Sequence, residues 1–85
     1  MVTAVSDEME VDPYPTIGSR ITKLREDQGL TKTAAAKLSD SERHAWNSWE
    51  LGRYQPQAAS LAKIAKGLDL TPAGLWWLVM GGEKL

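Results

Sequence analysis

Between Gly29 and Gly52 the chain reads GLTKTAAAKLSDSERHAWNSWELG, two helix-forming stretches separated only by Ser39-Asp40-Ser41. A link that short leaves two short helices little choice but to cross one another. The first stretch carries Ala34-Ala35-Ala36. Alanine is the best helix former, and a methyl group lets a second helix backbone come close, with Ala36 placed where the two meet. In the second stretch Trp46 and Trp49 are three residues apart and share one side, which is therefore the side to bury. Arg43, His44, Asn47 and Ser48 point the other way.

The text on either side of this stretch is also helical. Thr16 is a suitable N-cap, and Ile17, Ile21 and Leu24 recur at steps of four and three up to a stop at Gly29, predicting a first helix over 16–28. Thr31 caps the second, at 32–38, and the Ser39-Asp40-Ser41 cluster leads into the third, at 42–50. Ala58, Leu61, Ala62, Ile64 and Ala65 define a fourth over 57–67, with Gly67 as its expected terminator. Thr71-Pro72 opens a fifth, proline taking the first helical position where its missing amide is harmless; this helix runs to about residue 79, before Gly81-Gly82. No stretch alternates with period two. The expectation is an all-α, five-helix domain over 16–85, preceded by a flexible acidic tail over 1–15, where Asp12-Pro13-Tyr14-Pro15 disfavours helix.

Composition narrows the function classes. With no cysteine there is no disulfide framework, thiol nucleophile or thiolate metal site, and a lone histidine, His44, makes neither a His-based metal site nor a catalytic pair. No metal, no cofactor and no enzymatic activity are expected. The longest apolar run, Leu75 to Met80, is far too short to span a membrane, and the acidic start does not resemble a secretory leader, so a cytoplasmic protein is expected. The net charge of −1 hides a segregation. Residues 1–15 hold Asp7, Glu8, Glu10 and Asp12 and no base, whereas residues 16–85 hold ten bases against seven acids. A mildly basic domain permits a phosphate-binding face, which is a local property.

Two helices of about eight residues with a tight link have the dimensions of a helix-turn-helix. The outward groups Arg43, His44, Asn47 and Ser48 can donate to or accept from base edges. The chain here resembles the lambda-type phage repressors and their bacterial relatives, the Cro/CI-type helix-turn-helix proteins. The resemblance runs from about Ile17 to Gly82 and rests on IGSRITKLRE, GLT, an alanine five residues after that threonine, W-E-x-G with a nearby proline, and LAKIAKGLDLTP. It implies that Arg43, His44, Asn47 and Ser48 contact bases, the last two bases or neighbouring phosphates. It further implies that Lys32, Arg53 and Thr31 hold DNA phosphates, and that Arg25 and Glu50 form a structural pair. The chain departs from the family's pattern at Ser39 and Ser41, where apolar residues are usual, and at Asp40, where the turn usually has glycine. Aspartate tolerates the left-handed conformation better than most residues. Leu51 replaces a polar, phosphate-binding side chain and is not counted.

The sequence thus implies a sequence-specific regulator of transcription, a repressor of phage type, binding the major groove of double-stranded DNA as a homodimer on a palindromic operator. Leu75 to Met80 is apolar on every side, so Trp76, Trp77, Val79 and Met80 are the expected dimer interface. Two other readings stay open. One is the antitoxin of a toxin–antitoxin pair, its acidic tail wrapping a protein partner while the helix-turn-helix autoregulates. The other is a helical module that binds only protein. Trp46 and Trp49 could instead stack on nucleobases, but their spacing favours the core.

Overall fold

The computed structural model describes residues 12–81, which form five helices and no strand. The acidic residues Asp7, Glu8 and Glu10, and the end of the chain after Gly81, lie outside the described residues. Helix α1 spans Ile17–Asp27, α2 Lys32–Leu38, α3 Arg43–Leu51, α4 Ala58–Gly67 and α5 Pro72–Met80. None of them is long and apolar enough to cross a membrane.

The threonines begin their helices as the sequence predicts. Thr16 Oγ1 accepts from the Ser19 amide at 3.0 Å, and Ser19 Oγ accepts from the Thr16 amide at 3.1 Å, a reciprocal capping box. Thr31 and Thr71 accept from the amides of Ala34 and Gly74, each at 3.0 Å. Asp40 takes the left-handed conformation between α2 and α3, with φ of 52°. The serines beside it do not cap α3: its N-cap is Glu42, whose side chain makes no capping bond.

One stop signal falls in a different place. Gly67 is the last residue of α4 but does not take the left-handed conformation; that falls to Asp69, with φ of 56°. Gly67 is required for close approach instead. A Cβ there would lie 2.5 Å from the Leu38 carbonyl oxygen and 2.8 Å from Ser39 Oγ. Ser39 is itself buried beneath this crossing. Serine and glycine are small together where α4 meets the end of α2, which explains why an apolar residue is missing from the turn.

The core is Ile21, Ala35, Ala36, Trp46, Trp49, Ile64, Leu68 and Leu78, with Ile17, Leu24, Leu61 and Leu75 packed around it. Helix α3 rests on α1 and α2, α4 closes over α2, and α5 returns to α1. One buried cation ties the ends of the domain together. Arg20 of α1 donates through Nε to the Leu78 carbonyl at 2.9 Å and through Nη1 to the Tyr14 carbonyl at 2.8 Å. The first acceptor lies in the last turn of α5, where carbonyls carry the helix's partial negative charge. The Tyr14 ring meets Trp77 edge-on, with centroids 6.0 Å apart. Packing against the helices therefore begins at Tyr14, within the stretch assigned to the tail.

Candidate nucleic-acid interface

Helix α3 presents two unlike sides, and its inner side fixes its position. Trp46 and Trp49 are buried, with ring centroids 5.8 Å apart. Beside them Glu50, its side chain only 4% exposed, faces Arg25 of α1, at 12%. Arg25 donates from Nε to Glu50 Oε2 at 2.6 Å and from Nη2 to Oε1 at 3.2 Å, a two-pronged pair. Its Nη1 donates to the Leu30 carbonyl at 2.8 Å, so one guanidinium joins α1, the α1–α2 loop and α3. The Trp46 indole N–H also donates to Glu50 Oε2. Burial pushes the Glu50 carboxyl up, but the Arg25 and Trp46 hydrogen bonds and the Arg25 charge outweigh it and hold the group below its ordinary value.

The α1–α3 crossing is closer than side chains alone would set it. A Cβ on Gly18 would lie 2.5 Å from the Trp49 carbonyl oxygen and 2.7 Å from that of Glu50. Only a residue without a side chain lets the two backbones touch there. Gly18 stood in the sequence inside an amphipathic helix, with nothing local to mark it.

The outer side is open. Arg43 is exposed at the start of α3, and His44 is 82% exposed, its Nδ1 3.3 Å from Glu42 Oε1. Arg43 and Asn47 are four residues apart and share one strip of the helix, with His44 and Ser48 on the next. Asn47 and Ser48 are half-buried. Lys32, at the start of α2, reaches across to α3, where its Nζ donates to Asn47 Oδ1 at 2.6 Å. Thr31 is exposed beside it, and Arg53 is exposed just after α3. Arg43, His44, Asn47, Ser48, Lys32, Thr31 and Arg53 thus lie on or beside one helix. Trp76, Trp77, Val79 and Met80 belong to α5; Trp76, Val79 and Met80 are exposed there, while Trp77 is half-buried and meets the Tyr14 ring.

From the loop after α3 sequence reasoning took Arg53 and passed over Tyr54, Gln55 and Gln57. An open cleft of about 430 Å³ separates His44 and Ser48 from Tyr54, Gln55 and Gln57, and Tyr54 is 70% exposed. The available signal was compositional: a run of polar residues and a tyrosine directly after the W-E-x-G sequence.

Two crossed helices with a left-handed turn, the second buried on one side and polar on the other, are mirrored in sequence comparison: residues 16–77 match the model of a helix-turn-helix domain family. The chain belongs to that family. No curated protein matches it significantly. Among solved structures, this helix-turn-helix domain is similar to the DNA-binding domain of the P22 C2 repressor, determined in solution by nuclear magnetic resonance. The TM-score is 0.69 and the identity 24%, over 80% of this chain and 86% of that one. At that identity the likeness establishes the fold, which is the lambda-type repressor fold anticipated from the sequence.

Proposed function

We propose that this helix-turn-helix domain is a sequence-specific transcriptional regulator, a repressor of phage type, that acts in the cytoplasm as a homodimer on a palindromic operator. The observation that carries this function is the asymmetry of α3. The fold consumes Trp46, Trp49 and Glu50 on one side, while Arg43 and His44 on the other are exposed and carry none of the packing. In this function α3 enters the major groove, and Arg43, His44, Asn47 and Ser48 meet base edges. Arginine is the commonest side chain to read guanine, through its paired N–H groups.

Lys32, Arg53 and Thr31 hold the flanking phosphates, and contacts of that kind set the register of the domain on the duplex. Thr31 uses its oxygen as the acceptor for the Ala34 amide, which leaves its own hydroxyl hydrogen for a phosphate oxygen. The second copy packs on α5. Trp76 is 48% exposed, and Val79 and Met80 are each 41% exposed, in a helix with no charged residue. Apolar side chains gathered in this way mark an interface.

Selection of bound sequences from a random duplex pool, with affinity followed against salt, tests the whole proposal. The expected product is a pair of inverted half-sites about 10 base pairs apart, centre to centre, as two recognition helices on one face of the duplex require. Affinity should fall steeply with salt as phosphate-bound counterions are released. Recovery of no common sequence at any salt concentration would rule the proposal out, and a single unrepeated half-site would remove the homodimer.

A further inference from the structure

Lys32 and Asn47 are bonded to each other in the absence of DNA, and the chemistry of that bond restricts what the pair reads. An ammonium only donates, so the asparagine atom facing Lys32 Nζ at 2.6 Å is the carbonyl oxygen. The NH2 of Asn47 is consequently turned away from α2. Asparagine reads adenine by offering both ends of its amide to one base edge, the oxygen to the N6 amino group and the NH2 to N7. Here the oxygen is drawn sideways towards α2, and a positive charge stands beside it, opposing the approach of adenine's amino group. What the bond leaves unused is the NH2 of Asn47 and two further N–H groups of Lys32. On the same strip, one turn earlier, lies the Arg43 guanidinium, also a donor only.

We propose that Lys32 is a specificity-determining residue: by holding Asn47 Oδ1 it converts an adenine reader into a hydrogen-bond donor, and the pair selects guanine, whose major-groove edge carries two adjacent acceptors. This assignment rests on the proposed DNA-binding function and adds to it. A lysine that only neutralised a phosphate would strengthen binding to every sequence alike. A lysine that orients Asn47 changes which base is preferred at one position of each half-site.

The test is duplex selection with the full-length wild type, Lys32→Met, Asn47→Ala and the double variant. Thermal unfolding is followed by circular dichroism in parallel, to establish that each variant is folded. The methionine keeps the stem of the lysine and removes the donor. The wild type is expected to select guanine at one position that Asn47→Ala randomises. Lys32→Met should move the preference at that same position towards adenine by about tenfold, within the range a two-pronged base contact provides, and leave the other positions unchanged. In the Asn47→Ala background the same change should have no effect on preference there. A Lys32→Met protein that weakens on all duplexes equally, with its selected sequence unaltered, would overturn the assignment and leave the regulator standing. A wild type that selects no sequence would remove the regulator itself.

Discussion

The two sides of α3 obey different rules. On the inner side each strong polar group has a protein partner: the Glu50 carboxylate takes both prongs of Arg25 and the Trp46 indole N–H, and Arg25 also reaches the Leu30 carbonyl. Packing there is tight enough that even a methyl group on Gly18 has no room. On the outer side Arg43 and His44 are held by little beyond the helix backbone, and α3 begins at Glu42 without a side-chain cap. The inner side fixes one position and one rotation of the helix. The outer side inherits that rotation and is free to vary its chemistry without loss of the fold. Changes on the two sides should therefore be read out by different measurements.

The largest effect belongs inside. Trp46→Ala removes a fully buried indole and one of the donors to Glu50. Truncating a buried aromatic typically costs about 3–5 kcal/mol, and chemical denaturation should show a loss of that size. An unchanged midpoint would mean that Trp46 does not define the inner side at all. Gly18→Ala comes next. The added carbon would sit 2.5 Å from the Trp49 carbonyl oxygen, so α1 and α3 must move apart. Overpacking of this kind costs about 1–3 kcal/mol. Because the shift tilts α3, affinity for a selected duplex should fall further than stability alone explains.

The sequence displayed what depends on local chemistry. Thr16, Thr31 and Thr71 were legible as caps because a hydroxyl ahead of an apolar stripe has a local use, and Trp46 and Trp49 were legible as core because their spacing puts them on one side. The Arg25–Glu50 pair came into view only through family resemblance, since residues 25 apart carry no local sign of meeting. What stayed hidden was long-range backbone proximity. Gly18 and Gly67 each stand at a crossing whose partner lies about thirty residues away (an order-of-magnitude separation at which chain statistics say nothing of contact). Gly67 consequently resembled a stop signal. Arg20 carried no local sign of its burial, because its acceptors are the carbonyls of Tyr14 and Leu78, and a carbonyl has no sequence signature.

Outside, the expected effect moves from stability to recognition. Arg43→Ala removes an exposed side chain and should change stability by no more than about 0.5 kcal/mol. Its affinity for the selected duplex should fall by about 1–3 kcal/mol, with preference relaxed at one base pair. Competition binding against single-base variants of the operator separates the outcomes. A uniform loss on every variant would make Arg43 a phosphate contact, and no loss would place the reading surface elsewhere.

The mildest perturbation of the inner side is a proton. The folded-state pKa of Glu50 lies below its ordinary value, so the folded chain binds that proton less readily than the unfolded chain. The resulting contribution to stability is complete above the ordinary carboxylate range and is lost as pH falls through the lowered folded value. Protonation is gentler than truncation because the carboxyl group stays in place and still fills the space between Arg25 and Trp46. Glu50→Gln isolates this effect: it keeps the shape and removes the charge at every pH. The variant should be less stable than the wild type at neutral pH, and the two should converge as the wild type is acidified. Denaturant midpoints measured from neutral pH down to about pH 3, below the usual carboxylate range, would reveal that convergence. Parallel curves for the two proteins over the whole interval would mean that the charge of Glu50 contributes nothing to holding α3 against α1.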